Sequence, residues 1–371
     1  CAVVGPAYDE AAASLHRCLW SIAWQRHRPV SVVLVDDCSD EWPSAVELEA
    51  AQLFAVRGVE FRVVHLPYNM GKREAIAVGR AEVTVPFEVL VCVDSDTDAA
   101  PDACARLTAA FNDPKVEAAT GLVVAANRSK NLLTRLIDVR YVGAFEFDRA
   151  SQSALWGSMV CVCGSLGGYR LATFDRWSLD FTTQTFAGER CTFGDDRRLT
   201  SYALRSGRAV YVRDAVARTD VPETLSHFTR QQVRWSRSWG RESLLALAEQ
   251  PWLRPGRWVI ALETVTWVAF TASLLNSMIR HLDGVSWSHI AVIAAAAVAR
   301  SGAYAHRSDL GWGQRLLGMI LAPAYSVLNV WVLLPLRLYA LATMRRSGWG
   351  TRQHVEAASV SMARIPASAR Q

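Results

Sequence analysis

The sequence predicts an α/β protein, a parallel or mixed sheet flanked by helices, that gives way to apolar helices toward its C-terminus. Apolar, β-branched runs stop abruptly in acids, most plainly in Glu88-Val89-Leu90-Val91-Cys92-Val93-Asp94-Ser95-Asp96-Thr97-Asp98. Buried parallel strands read this way where they deliver polar side chains to the carboxyl edge of a sheet. These runs alternate with stretches whose apolar residues recur at helical spacing, as crossover connections do. Hydrophobic residues make up 51% of the 371 and there are 14 Trp, yet the first two-thirds carries ordinary mixed charge, so the apolar excess lies near the C-terminus.

The chain opens in a strand, Cys1 to Ala7, with no basic run and apolar core ahead of it, so no signal peptide or leading membrane helix is expected. Residues 11–25 place Leu15, Cys18, Leu19 and Ile22 on one helical face. A second strand, residues 30–35, ends in Asp36-Asp37, and a third, 59–65, leads into Asn69-Met70-Gly71-Lys72 and a helix. The Glu88 strand is the fourth. A helix over 101–111 starts with Pro, which the first turn tolerates. A strand over 116–124, a long helix over 131–152 and a strand at 159–163 follow, the last running into Gly164-Ser165-Leu166-Gly167-Gly168. Glycines there imply that backbone approaches another group closely.

Several of these edges carry chemistry. Asp94 and Asp96, one residue apart where strand becomes loop, suit one hard divalent cation completed by water and phosphate oxygens; a solvated turn with a capping Asp fits the same residues. Asp36 and Asp37 can accept from a uracil imide or a ribose hydroxyl, and Lys72, behind a glycine, can reach a base or a phosphate. Of Asp195 and Asp196, at the head of a helix, one is expected to be the N-cap and the other a general base for an acceptor hydroxyl. Gln231, Arg234 and Trp235 fall at i, i+3 and i+4 of a helix over 222–248 and share a face. Arg there can neutralise a diphosphate and Trp can stack on a sugar ring; as interfacial anchors ahead of a membrane segment they read equally well.

Net charge is +5, and the Arg-rich stretches flank apolar segments rather than alternate with aromatics on a polar face, which ranks nucleic acid low as a partner. The eight cysteines show no C-x-x-C spacing, and buried reduced thiols are expected rather than zinc. Residues 258–280, 287–305 and 316–344 are candidate spans; a hydrocarbon core of about 30 Å needs on the order of 20 apolar residues. Two or three spans fit, and Glu263 and Arg337 within them are expected to face a bundle interior or a channel, since lipid is costly for a charge.

Taken together, Asp36-Asp37, Lys72, Asp94-Ser95-Asp96, Gly194-Asp195-Asp196-Arg197 and Gln231-x-x-Arg234-Trp235 occur in the order seen in processive, inverting, membrane-embedded nucleotide-sugar glycosyltransferases, the group of cellulose, chitin and hyaluronan synthases. Gln152-Ser153, the glycine run 164–170, residues 231–242 and Trp349-Gly350-Thr351-Arg352 look most like bacterial hyaluronan synthases, with nodulation-type chito-oligosaccharide synthases as close relatives; Ser165 stands where the resembling loop usually has Pro. The resemblance implies a GT-A catalytic domain over 1–220, interfacial helices over 221–257, membrane helices over 258–344 and a cytosolic segment over 345–371. It implies UDP-sugar donors, Mg²⁺ or Mn²⁺, a growing polysaccharide, a multi-pass position among membrane lipid and a cytosolic catalytic face. By position, Pro6, Tyr8, Glu10, Asp36, Asp37, Lys72 and Asp94 would bind UDP, Asp94 and Asp96 the metal, and Asp196 would be the base. Gln231, Arg234 and Trp235 would line the acceptor site, and Trp349, Thr351 and Arg352 would close over the nucleotide. Expected products are hyaluronan, from UDP-N-acetylglucosamine and UDP-glucuronate, or a chitin-type polymer or oligomer from UDP-N-acetylglucosamine alone. A membrane nucleotide-sugar binding or scaffold protein is the non-catalytic alternative.

Overall fold

The computed structural model describes residues 1–280 and 287–347. Its first half is built as the apolar runs require. Strands β1 (Ala2–Ala7), β2 (Ser31–Asp36), β3 (Glu60–His65) and β4 (Val89–Cys92) pair in parallel in the order β3-β2-β1-β4, joined through helices α1 (Ala12–Ala23), α2 (Ser44–Arg57) and α3 (Lys72–Ala81). β2 and β4 are buried at every residue, because helices cover both faces, whereas β3 at the edge stays half exposed.

The second half makes the sheet mixed. After β5 (Thr97–Ala99) and α4 (Ala103–Ala109) come β6 (Val116–Ala125), α5 (Leu132–Val142), α6 (Ala150–Trp156) and β7 (Gly167–Arg170). There follow α7 (Leu171–Thr183), a hairpin of β8 (Thr185–Phe186) and β9 (Glu189–Arg190), α8 (Asp195–Ser206) and β10 (Arg208–Thr219). The full order is β3-β2-β1-β4-β7-β6-β10-β5, with β7 antiparallel to both its neighbours and β5 antiparallel to β10. The strand direction and order change beside β4, and that is where an open α/β sheet leaves a crevice.

Two expectations need correction here. Residues 159–162 are buried and Cys163 half-buried, and they join no ladder. Met159 N still reaches Ala209 O of β10 (3.0 Å), but beyond it side chains take the amides: Val160 N donates to Gln152 Oε1 (3.2 Å), Val162 N to Thr200 Oγ1 (2.8 Å) and Cys163 N to Thr120 Oγ1 (3.1 Å). The strand is β7, one step later, and it is glycine-rich because a Cβ on Gly167 would lie 2.7 Å from Val162 Cγ1. Strand β10 was not expected from the sequence; Arg213 and Asp214 sit where its register against β6 slips between Val212 and Val216, and that bulge breaks the apolar alternation. The long helix is present as α5, a π-helical turn (Gly143–Arg149) and α6, begun by Asn131 in a reciprocal cap with Thr134.

Helix α9 (Leu225–Glu249) leads to α10 (Pro255–Arg280), α11 (Trp287–Ser301), α12 (Trp312–Leu328), a second π turn (Asn329–Leu333) and α13 (Leu334–Ala342). Two helices, Pro255–Arg280 and the continuous run Trp312–Ala342, are long and apolar enough to cross a membrane. α11, with 15 residues, reaches about 22 Å, so the third expected span is too short as one helix. Leu262, Val265, Val268, Leu316, Ile320 and Trp331 are exposed on these helices, an apolar surface that water does not favour.

These helices are fastened to the sheet domain through a buried ion pair. Asp138 of α5, wholly buried, accepts from Ala125 N (3.0 Å), from Tyr304 Oη and from Arg307 Nη1 (3.1 Å), and Arg307 is itself 3% exposed. Asp138→Ala leaves the guanidinium its bidentate pair with Asp309 (2.7 Å at each nitrogen) but orphans Nη1 and the Tyr304 hydroxyl, so a loss of about 1–3 kcal/mol is expected. Thermal unfolding of the solubilised chain checks it, with Asp138→Asn expected to cost less because the amide oxygen still accepts.

Candidate active site

The acids of β2 and β4 converge at the carboxyl edge. Asp36 and Asp37 are both buried. Asp36 accepts from Ser39 N (2.9 Å) and Ser39 Oγ (2.6 Å) and faces His65 Nδ1 at 3.0 Å. Asp37 accepts from Met70 N (2.6 Å) and Gly71 N (2.9 Å). Gly71 has φ +91°, which only glycine adopts without strain, and the turn so held starts α3 at Lys72. Asp37 therefore positions Lys72.

Lys72 Nζ lies 2.7 Å from Asp94 Oδ1 and 3.2 Å from Asp195 Oδ2, joining the end of β4 to the head of α8. Burial works against its charge, but Asp195 and then Asp94 outweigh it and hold its pKa well above that of an ordinary lysine. Gly164 approaches here: a Cβ on it would lie 2.9 Å from Lys72 Nζ. Ser165 Oγ donates to Asp94 Oδ2 at 3.2 Å, so the serine has a local use.

Beside Asp94, Ser95 Oγ donates to Glu10 Oε2 (2.9 Å), which draws the loop after β1, with buried Tyr8, to the same edge, where half-buried Pro6 lies near the end of β1 itself. Asp96 accepts from Thr219 Oγ1 at 3.0 Å; burial, then the charges of Asp94 and Glu10, push its pKa up to about 7. Among the described residues no set of three or more His, Cys, Asp or Glu is arranged for a metal. The pair fits a different arrangement. Two hard oxygen donors, crowded by a third carboxylate, gain from a divalent cation whose remaining positions go to phosphate and water.

At the head of α8, Gly194 occupies the N-cap position with φ +85°, and a Cβ there would collide with Ser238 Oγ of α9. Neither Asp195 nor Asp196 is the N-cap, contrary to expectation; both are first-turn acids, where the helix dipole favours negative charge. Their environments differ. Burial would raise Asp195, but Lys72 and then Arg73 hold it below the usual carboxylate range. Asp196 is raised, by burial and then by Asp195. It accepts from Arg197 N (2.7 Å) and from Cys161 Sγ (3.4 Å). Of two neighbouring acids, one is thus locked as an anion and the other left more basic, a division suited to proton transfer by Asp196.

Trp235 of α9 is 6.3 Å from Tyr141, ring centroid to centroid, and Arg140 Cζ is 5.8 Å from the Trp235 ring. Tyr141 in turn lies within electrostatic reach of Cys163, Asp96 and Asp94, and burial leads the effects that push its phenol up. α5 therefore connects Trp235 to the carboxylate pair. Gln231 Oε1 is buried and has no hydrogen-bond partner among the described residues.

Sequence reasoning missed Tyr141 and Arg140, since nothing in α5's pattern marks them, and a buried hub behind the site. Arg73, 1% exposed, donates to Phe181 O (3.2 Å), Phe193 O (3.0 Å), Gln184 Oε1 and Glu242 Oε1 (3.4 Å), while Arg241 also donates to Phe193 O (3.1 Å). The hub fixes the peptide before Gly194 against α9. Thr192 and Arg241 also hold Ser347, at the end of the described residues. Trp349, Thr351 and Arg352 lie outside the described residues.

A mixed sheet whose order and direction change beside β4, with acids gathered at that edge and apolar helices after it, is the arrangement of a nucleotide-sugar glycosyltransferase of the GT-A fold. The comparisons agree. Residues 1–238 match the family described as "Glycosyltransferase like family 2", and the chain belongs to that family. It is 36% identical to an N-acetylglucosaminyltransferase of Sinorhizobium fredii, over 94% of this chain and 83% of the relative, and 35% identical to a hyaluronan synthase of Streptococcus pyogenes, over 95% and 83%. The mannosyltransferase PcManGT from Pyrobaculum calidifontis, solved in complex with GDP-Man and Mn²⁺, superposes with a TM-score of 0.57 at 19% identity, over 98% of this chain and 86% of that one, a likeness of fold.

Proposed function

We propose that the protein is a processive, inverting β-glycosyltransferase that extends a polysaccharide from UDP-sugars at the cytosolic face of a membrane, most specifically hyaluronan from UDP-N-acetylglucosamine and UDP-glucuronate. The observation that carries this reading is Lys72 bridging Asp94 and Asp195, which sets the diphosphate side of the site beside the more basic Asp196. Pro6, Tyr8, Glu10, Asp36 and Asp37 would form the uridine end, and Trp349, Thr351 and Arg352 its cover. Asp94 and Asp96 would hold Mg²⁺ or Mn²⁺, which when bound supplies charge neutralisation for the departing UDP.

In this reading the acceptor's end sugar stacks on Trp235, with Gln231 and Arg234 fixing its polar groups. Asp196 takes the acceptor hydroxyl's proton as the oxygen attacks the anomeric carbon from the face opposite UDP, which inverts that carbon. Lys72 stays near the released diphosphate. Because the acceptor is held by α9 and the donor by the sheet edge, UDP can leave and a new donor enter without loss of the chain. The membrane-length helices, with others, would form a multi-pass channel for the product.

Arg140, over the Trp235 ring and with no carboxylate partner among the described residues, suits an acceptor that carries a uronate in alternate sugars. A chitin-type product from UDP-N-acetylglucosamine alone is the second reading, favoured by the relatives named N-acetylglucosaminyltransferase. Labelled donors separate the two. Incorporation that requires both donors and a product cut by hyaluronan-specific digestion support the first; polymer from UDP-N-acetylglucosamine alone, cut by chitin-specific digestion, replaces it with the second.

A further inference from the structure

Arg197, adjoining Asp196 on α8, extends toward the membrane-length helices. Its Nη2 lies 3.7 Å from Glu263 Oε1, and the same oxygen accepts from Trp239 Nε1 at 3.0 Å. Trp239 is on α9, four residues past Trp235, and its ring rests on Trp267 of α10 with centroids 5.0 Å apart. One carboxylate oxygen thus ties together the helix of the candidate base, the helix of the acceptor platform and the first membrane-length helix. Glu263 is the sole acid of α10. A carboxylate in such a segment is costly unless partnered, and here the partner is the cation next to Asp196.

We propose that Glu263 is a positioning residue for the reaction: by partly neutralising Arg197 it keeps Asp196 basic enough to take the acceptor's proton, so that proton transfer depends on how α10 sits against α8. The proposal rests on Asp196 being the base. Asp196 is faced by Asp195 and Arg197 from its own helix, by Lys72 from α3, by Cys161 and Cys163 from the segment before β7, by Tyr169 from β7 and by Arg149 from the π turn. Burial and then Asp195 raise its pKa; Arg197 and Lys72 lower it. With Glu263 uncharged, Arg197 pulls harder and Asp196 becomes more acidic. A base that must be deprotonated then works to lower pH.

The test is the pH dependence of kcat/KM for UDP release, with the full chain in membranes, saturating Mg²⁺ and both UDP-sugars. Glu263→Gln keeps an acceptor for Trp239 and removes only charge. Its acid limb is expected to move to lower pH by about half a unit, and to show no such move when introduced into Arg197→Gln, because the effect runs through that guanidinium. An acid limb that stays in place in Glu263→Gln, or a shift that persists in the Arg197→Gln background, overturns the proposal. If Glu263→Gln does not fold, Arg197→Gln alone reads the same path: its limb moves to higher pH, and an unmoved limb is equally fatal. Asp196→Asn separates the two levels. Retained turnover there removes the base assignment itself, whereas lost turnover with an unmoved Glu263→Gln limb removes only the link to α10.

Discussion

Asp196→Asn is expected to lower UDP release from the donors by roughly a thousandfold, within the range general-base removal usually costs. The amide keeps the shape and its oxygen still accepts from Arg197 N, the 2.7 Å contact, while the weaker one from Cys161 Sγ at 3.4 Å, made to the other oxygen, is lost, so folding should survive. What it loses is the ability to take a proton. Donor binding should change little, because the diphosphate side proposed above rests on Lys72 and Asp94, 2.7 Å apart, rather than on Asp196. UDP release measured against donor concentration checks both parts. Wild-type kcat in Asp196→Asn would move the base elsewhere, and Asp195, held as an anion by Lys72, would be the next residue to test.

Trp235→Ala is expected to separate polymer growth from donor cleavage. The ring lies between Tyr141, which leads back to the carboxylates, and Arg140. Without that face the acceptor end loses its platform, and a deficit of about 1.4 kcal/mol in its binding is already tenfold. Polymer should therefore fall by roughly tenfold or more while part of the UDP release continues, now as transfer to water. The ratio of incorporated sugar to released UDP is the readout, and Trp235→Phe should restore part of it because a flat face remains. An unchanged ratio in Trp235→Ala would place the acceptor on another surface.

The strands β1, β2 and β4 were legible because burial on both faces leaves nothing but apolar residues, and their acids were legible because a buried run can end in charge only at an edge. The membrane-length helices were legible for the same reason, length and apolarity being properties of the chain itself. Met159 to Cys163 is as apolar as a strand, yet the strand β7 lies at 167–170; after Met159 the segment's amides find the side chains of Gln152, Thr200 and Thr120 instead of a neighbouring strand, and that choice depends on side chains up to 43 residues away. The candidate span at 287–305 runs past the end of α11 because apolar composition continues beyond the residue where the α-helix stops.

By itself the sequence determined the α/β class, the carboxylates at the sheet edge, the shared face of Gln231, Arg234 and Trp235, and the apolar C-terminal third. All of these follow from periodicity and spacing along one chain. Only the tertiary structure decided how neighbouring acids divide their work: Lys72, more than a hundred residues away in sequence, locks Asp195 as an anion and leaves Asp196 the more basic. It also decided that Glu263, the acid of an apolar helix, is met by Arg197 at 3.7 Å and by Trp239 at 3.0 Å. The physical reason is that protonation and charge compensation depend on distances of a few ångströms between groups remote in sequence, and residue order does not encode those distances locally.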